Sequence, residues 1–214
     1  RDVERSRGLG DVYKRQLEKV GAEKGHGALR VAGGEVPAGV REVVPVSTCP
    51  IIAIDPGNAQ SGYCVIDRNT LRPLEFGKVG NAELLRKLAS ATEQGWRWAV
   101  IEMVASYGMS VGREVFDTVL WIGRFYQALN ACCPVRLLCR IEEKQHICHN
   151  SRANDAAIRR ALIDRFADHD LKNGRGTKKN PDFFYGFKAD VWAAYAVGLT
   201  AIENRENDYH FSAT

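Results

Sequence analysis

The chain has 214 residues, 45% of them hydrophobic, which suffices for one domain with a sizeable core. The formal net charge of +4 is too small to indicate a nucleic-acid-binding protein by itself, so the distribution of the charges matters more. We expect neither a membrane span nor a secretory signal, because no apolar run reaches the roughly 18 residues of a spanning helix and the first residues are polar and charged.

The first 48 residues show little apolar periodicity, and we expect them to form a disordered or non-native extension. Residues 6–16 resemble translated sequencing-adapter read-through. The folded domain is predicted to span residues 49–204, with a frayed polar tail over residues 205–214.

The six cysteines show no C-x-x-C spacing, which favours reduced thiols in a reducing compartment, the cytoplasm. His146, Cys148 and His149 are possible zinc ligands. They lack a second ligand pair at zinc spacing, so a zinc site is not favoured.

The first predicted element is a buried hairpin over residues 51–67, in which two apolar runs flank an Asp-Pro-Gly turn. Asp55 ends its first strand. A carboxylate there is costly unless it is paired or binds a cation, which makes Asp55 a candidate functional residue. The alternative is that Asp55 caps the tight turn.

A third strand is predicted over residues 74–79, followed by a helix to about Thr92 with Asn81 as its N-cap. The next buried strand, over residues 98–104, carries Glu102 near its end. Packing gives no reason for a glutamate at that position. The alternative is an edge strand with Glu102 facing solvent.

The second half of the chain is predicted to contain a helix over residues 113–131, a strand over 135–141, a short turn of helix over 142–148 and a helix over 151–168. The last helix, over residues 188–202, is rich in alanine and therefore able to pack closely on a sheet. Asp190 lies in its first turn. The alternative for this acid is a favourable interaction with the helix dipole.

Basic residues are concentrated in residues 151–188, in a helix and in a glycine-containing loop. A long basic loop suits contact with a phosphate backbone, and a solvated surface is the alternative. The aromatic cluster at residues 183–187 either stacks on bases or packs on the core. The candidate DNA-binding residues are Arg152, Arg159, Arg160, Lys172, Arg175, Lys178, Lys179 and Lys188.

Asp55, Glu102 and Asp190 therefore stand apart from ordinary surface acids. If the two strands are neighbours, about 4.8 Å apart, their end carboxylates can share a cation. Clustered carboxylates without cations would repel, and two divalent ions about 4 Å apart would remove the repulsion and form a two-metal site for phosphodiester cleavage. Oxygen ligands favour Mg²⁺ or Mn²⁺ over zinc.

Three blocks in order, Ile-Ala-Ile-Asp55-Pro-Gly with Ser61-Gly62-Tyr, Val-Ile-Glu102, and Lys188-Ala-Asp190-Val-Trp-Ala-Ala-Tyr-Ala, resemble the RuvC family of Holliday-junction resolvases, above all its phage and prophage branch. The resemblance covers roughly residues 50–203. It implies an α/β, ribonuclease H-like fold, with a five-stranded mixed sheet flanked by helices. The first three strands would be antiparallel and the later two parallel to the first.

The resemblance also implies a homodimer that nicks branched DNA with Mg²⁺ and leaves 5′-phosphates. Asp55, Glu102 and Asp190 would then be the catalytic, metal-holding acids, and the basic helix and loop would lie along the DNA. The family usually has a further acid one helical turn before the Asp190 position, where this chain has Phe187. Asp155 is a possible substitute, although its context favours a helix cap, and Lys188 is a possible contact to the scissile phosphate.

Three alternatives remain open from the sequence. One is another ribonuclease H-like nuclease that cuts RNA–DNA hybrids or flaps, since the same acids would serve it. Another is an ATP-binding protein of the actin-like group, which would need further glycine-rich phosphate motifs that this sequence lacks. The third is a catalytically inactive junction-binding module.

Overall fold

The computed structural model describes residues 49–90, 95–105, 108 and 111–211. The predictions for residues 1–48 and for the last three residues of the tail lie outside this part of the chain.

A mixed sheet of five strands forms the centre of the fold, in the order β3-β2-β1-β4-β5. β1 pairs antiparallel with β2 and β2 with β3, while β4 runs parallel to both β1 and β5. This confirms the predicted sheet. The strands are β1 (Pro50–Asp55), β2 (Gln60–Asp67), β3 (Pro73–Gly80), β4 (Ala99–Met103) and β5 (Val135–Cys139).

Five helices accompany the sheet in the described part of the chain: α1 (Asn81–Ala89), α2 (Arg113–Asn130), α3 (Arg140–Cys148), α4 (Asp155–Phe166) and α5 (Ala189–Phe211). Among the described residues, no helix is both long and apolar enough to cross a membrane.

Two predicted helix caps are wrong. Gly80, not Asn81, is the N-cap of α1, because the Asn81 side chain is used in a tertiary contact. Asn154, not Asp155, caps α4, and its side chain accepts a hydrogen bond from the Ala157 N–H at 2.9 Å. The strand β5 ends two residues earlier than predicted, because α3 begins at Arg140 and Glu142 caps it by accepting from the Cys139 N–H.

The two faces of the sheet pack against different helices. Ile51, Ala53 and Val100 share one buried cluster with α4 and α5, whereas Ile52, Ile54, Ala99 and Ile101 share another with α1 and α2. Side chains alternate between faces along a strand. The side chains of Asp55 and Glu102, two positions after Ala53 and Val100, therefore belong to the face covered by α5.

All six cysteines are free thiols, as predicted. The aromatic cluster packs in the core: Phe184 and Phe187 are fully buried against Trp192 and Tyr195 of α5, while Tyr185 is exposed.

Candidate active site

Asp55 and Glu102 lie side by side at the carboxyl ends of two neighbouring strands. The parallel register pairs Ile54 with Ile101, so the next residue of each strand is one of the two acids. Their carboxyl groups are close enough that the negative charge of Glu102 raises the pKa of Asp55. The edge-strand alternative for Glu102 is wrong, because β4 lies between β1 and β5 and the Glu102 side chain is only 13% exposed.

The turn after Asp55 is held by other residues. The Gly57 N–H donates to Ser61 Oγ at 3.2 Å, Ser61 donates to Asn81 Oδ1 at 2.7 Å, and Asn81 Nδ2 donates to the Gly57 carbonyl at 2.8 Å. Ser61 and Asn81 thus take the turn-holding role that was the alternative for Asp55.

Asp190 approaches Asp55 from α5. The two acids line one cavity of about 310 Å³ together with residues 56–60 and Lys78. The Asp190 carboxylate forms an ion pair with Lys78 Nζ. Lys78 of β3 is opposite Gly62 in the sheet, and Gly62 in turn is opposite Asp55, so the ion pair lies at the edge of the same cluster.

Arg140, the first residue of α3, lies among three acids on the other side of Glu102. Its Nη1 is 3.2 Å from Glu102 Oε2 and 3.6 Å from Glu143 Oε2, and its Nη2 donates to Asp155 Oδ1. Asp155 is 85% exposed, whereas the Glu143 side chain is completely buried. Arg140 therefore neutralises part of the acidic cluster.

Burial and mutual repulsion make these acids harder to ionise than surface acids. Burial, and then the negative charge of Glu102, raise the pKa of Asp55 to about 8. Burial also raises the pKa of Glu102, although Arg140 opposes the effect. Burial raises the pKa of Glu143 to about 8 in spite of the adjacent Arg140. A cation added to this cluster would favour the charged form of all three.

The predicted basic residues separate into two groups. Arg159 and Arg160 of α4 have partners within the chain: the Arg159 guanidinium lies 4.9 Å from the centre of the Trp192 ring, and Arg160 donates to Asp164 and to the Leu171 carbonyl. The other six are exposed. Arg152 lies just before α4, and the segment between α4 and α5 carries Lys172, Arg175, Lys178, Lys179 and Lys188.

Hydrogen bonds to Asp182 and one β-bridge hold the basic loop in place. The buried Asp182 carboxylate accepts from the backbone N–H groups of Asp168, His169, Asp170 and Phe183 at 2.5–3.0 Å. A β-bridge between Gly176 and Pro181 closes the tip that carries Lys178 and Lys179.

The His146–His149 stretch lies in another place. His146 Nε2 is 2.6 Å from Glu203 Oε2, beside a separate cavity of about 550 Å³. Glu203 also pairs with Arg165. His146 is thus hydrogen-bonded to Glu203, which links α3, α4 and α5.

Sequence reasoning missed Lys78, Arg140 and Glu143. The first two are single basic residues within or just after predicted strands, and Glu143 is one of two consecutive glutamates in a polar helix. The available signal was that β5, like β1 and β4, is an apolar strand that ends at this edge of the sheet. Residues shortly after its end therefore belong among the site candidates.

The donor atoms suit a hard divalent cation, because they are carboxylate oxygens without histidine or thiolate. Within the described ranges, however, no three Asp, Glu, His or Cys side chains converge closely enough to hold an ion. Lys78 holds Asp190, and Arg140 lies between Glu102 and Asp155. A bound cation would therefore compete with these two basic side chains.

No protein-family model matches the chain, and no curated protein sequence matches it. Solved structures do. RuvC from Thermus thermophilus in complex with a Holliday-junction substrate has a TM-score of 0.53 and 16% identity, over 74% of this chain and 96% of that one. A second structure of Thermus thermophilus RuvC has a TM-score of 0.52 and 17% identity over the same shares.

A yeast mitochondrial Holliday-junction resolvase is also similar, with a TM-score of 0.42 and 14% identity, over 76% of this chain and 82% of that one. At these identities the likeness defines the fold. The chain has the α/β, ribonuclease H-like fold predicted from the sequence, with the mixed five-stranded sheet and flanking helices of RuvC.

Proposed function

We propose that this protein is a metal-dependent endonuclease that nicks branched DNA, with the four-way Holliday junction as its substrate, and that it serves DNA recombination and repair. The observation that carries the proposal is that Asp55 and Glu102 are neighbours at the carboxyl ends of parallel strands, with Asp190 lining the same cavity as Asp55, in a RuvC-like fold. The phage and prophage branch stays a sequence prediction.

Asp55, Glu102 and Asp190 are the proposed metal-holding residues. When bound, Mg²⁺ or Mn²⁺ supplies the positive charge that activates a water molecule and stabilises the leaving 3′ oxygen. Asp55 is the central residue of the set, because it neighbours Glu102 in the sheet and lines the same cavity as Asp190. Asp155 is a weaker candidate, because its side chain is mostly exposed and bonded to Arg140.

DNA would lie along the exposed basic residues of the loop after α4. Lys178 and Lys179 lie in a loop tip that the bridge between Gly176 and Pro181 closes. Because this bridge already restricts the loop, less conformational entropy is lost when the loop binds a phosphate backbone. Lys188 is exposed two residues before Asp190, close enough in sequence to reach a phosphate at the cavity.

The second copy needed for paired nicks would bind at α2. Phe116 and Leu120 are 63% and 62% exposed on this helix, and Val119 is partly exposed beside them. Residues three or four apart share one face of a helix, so the exposed side chains of Phe116, Val119 and Leu120 form one apolar strip. Such a strip favours a homodimer over an isolated chain.

The test is cleavage of a labelled synthetic four-way junction by the full chain, beside linear duplex and RNA–DNA hybrid, with Mg²⁺, with Mn²⁺ and with chelator. We expect paired nicks on the junction only, in the presence of either metal. Asp55→Asn is expected to abolish cleavage while binding of the junction in Ca²⁺ survives. Retained cleavage by this variant would remove Asp55 from the site.

The same assay separates the alternatives. Cleavage of the hybrid alone would indicate another ribonuclease H-like nuclease. Binding without cleavage in either metal would indicate a junction-binding module.

A further inference from the structure

The position where the resolvase family usually places its fourth acid belongs to the core in this protein. Phe187 is 1% exposed, and its ring packs edge-on against Phe76 with the ring centres 4.6 Å apart. Trp192 and Tyr195 of α5 enclose its other sides. This chain therefore has no carboxylate at this position, and a fourth acid would have to come from another element.

Glu143 is a buried carboxylate without an evident structural purpose. Its side chain is completely buried in the first turn of α3, and neither carboxylate oxygen has a hydrogen-bond partner among the described residues. It forms an ion pair with Arg140, whose Nη1 lies 3.6 Å from Glu143 Oε2. Burying an ionisable group in this way is costly unless something else stabilises it.

Asp182 shows what a structural buried acid looks like in the same chain. Its side chain is equally buried, but it accepts hydrogen bonds from four backbone N–H groups. Glu143 has none of these, so a purely structural role does not account for it.

Glu143 is directed at the acidic cluster. The nitrogen of Arg140 nearest to it, Nη1, is also the one that contacts both oxygens of Glu102, at 3.2 and 3.4 Å. Glu102 and Glu143 therefore flank a single cationic nitrogen. The end of β5 lies beside Glu102 in the parallel register. Since α3 begins immediately after β5, Glu143 in its first turn lies at the same edge of the sheet.

We propose that Glu143 is the fourth carboxylate of the metal site, supplied by α3 instead of α5, and that Arg140 is the cation that Glu102 and Glu143 share when no metal is bound. The inference rests on the proposed metal-dependent function. It assigns the ligand set of this chain as Asp55, Glu102, Asp190 and Glu143, with oxygen donors suited to Mg²⁺ or Mn²⁺.

The test measures Mn²⁺ binding directly, by electron paramagnetic resonance of free Mn²⁺ during titration of the full chain without DNA. The variants are Glu143→Gln, which keeps the shape of the side chain and removes its charge, and Glu143→Asp, which keeps the charge on a side chain one methylene shorter. Glu142→Gln is the matched control, because it removes a charge from the same helical turn while its amide oxygen can still accept from Cys139. Asp55→Asn reports on the site as a whole.

We expect Glu143→Gln to weaken Mn²⁺ binding at least about tenfold, since even groups behind the ligands contribute that much. Glu143→Asp should bind with intermediate affinity, and Glu142→Gln should bind like the wild type. In chelator, Glu143→Gln should melt at the same temperature as the wild type or higher, because Arg140 keeps Glu102 and Asp155 as partners and the variant no longer buries a carboxylate that lacks hydrogen bonds.

Two other outcomes are distinguishable. If wild type and Asp55→Asn bind Mn²⁺ equally weakly, the proposed metal site itself is wrong. If Asp55→Asn loses binding while Glu143→Gln binds like the wild type and melts lower in chelator, Glu143 is structural and this inference is overturned.

Discussion

Gly62 and Asp190 are in direct backbone contact, and this contact sets how closely α5 approaches the end of the sheet. A Cβ on Gly62 would lie 2.5 Å from the carbonyl oxygen of Asp190 and 2.9 Å from its Cβ. Gly62 is also the cross-strand partner of Asp55. One position without a side chain therefore determines the distance between two of the proposed metal-holding acids.

Gly62→Ala is expected to push the first turn of α5 away from Asp55. Overpacking of this kind costs about 1–3 kcal/mol of stability, and a displacement near 1 Å in a catalytic site can cost about a hundredfold in rate. The rate of junction cleavage should fall about a hundredfold, while the far-ultraviolet circular dichroism spectrum stays unchanged. Gly80→Ala is the control, because nothing lies within 4 Å of the carbon it adds. Full activity of Gly62→Ala would show that the spacing is not critical.

Lys78→Met is expected to strengthen Mn²⁺ binding. Lys78 pairs with Asp190 and competes with any cation for that carboxylate. Because the pair is partly exposed, its strength is modest, and a gain of about two- to fivefold is expected. Lys87→Met removes a comparable ion pair, with Glu75 at 2.6 Å, away from the site and should have no effect. Weaker binding by Lys78→Met would contradict the competition.

Replacing Lys178 and Lys179 by alanine is expected to weaken junction binding and to flatten its dependence on salt. Each phosphate contact contributes about 0.9 to the slope of log affinity against log salt concentration. The measurement is fluorescence anisotropy of labelled junction in Ca²⁺ at several salt concentrations. Arg86→Ala, on α1 at the other face of the sheet, is the control. An unchanged slope would mean that the loop is only solvated.

Asp182→Asn is expected to destabilise the loop that carries these lysines. An amide cannot replace the carboxylate as acceptor for four N–H groups, and the loss should cost about 1–3 kcal/mol, measured by urea unfolding. Asp168→Asn is the control, since it keeps the backbone N–H that Asp182 binds.

The same acid predicts a pH dependence. Burial alone would raise the pKa of Asp182, but the backbone donors, beginning with Asp168 and Asp170, outweigh it and hold the pKa well below its usual range. A depressed pKa stabilises the fold above the unfolded value of about 3.9 and loses this effect as the pH falls below it. The stability difference between wild type and Asp182→Asn should therefore shrink below about pH 4. A constant difference would assign the loss to packing.

Phe116→Asp is expected to convert a dimer into a monomer, because it places a charge in the apolar strip of α2. The mass in solution is measured by light scattering after size exclusion. Leu74→Asp is the control, since Leu74 is also exposed, at 49%, but lies on β3. A wild-type protein that is monomeric while it makes paired nicks would contradict this interface.

The sequence by itself determined the sheet and the positions of the three proposed acids. Apolar runs mark buried strands, and an acid at the end of such a run has few structural explanations, which is why Asp55 and Glu102 were recognisable. The alanine-rich helix predicted close packing on the sheet, and Ala194 and Ala196 are indeed buried there. These features are local, so they can be recognised without knowing what lies opposite.

Only the tertiary structure decided which polar residues complete the site. Glu143 and Asp155 look alike in the sequence, as acids in the first turn of a polar helix, yet one is completely buried and the other is 85% exposed. Lys78 and Arg140 acquire their partners from strands and helices distant in the chain. Burial and charge pairing at this edge depend on where three parallel strands end relative to one another, and no single stretch of sequence contains that relationship.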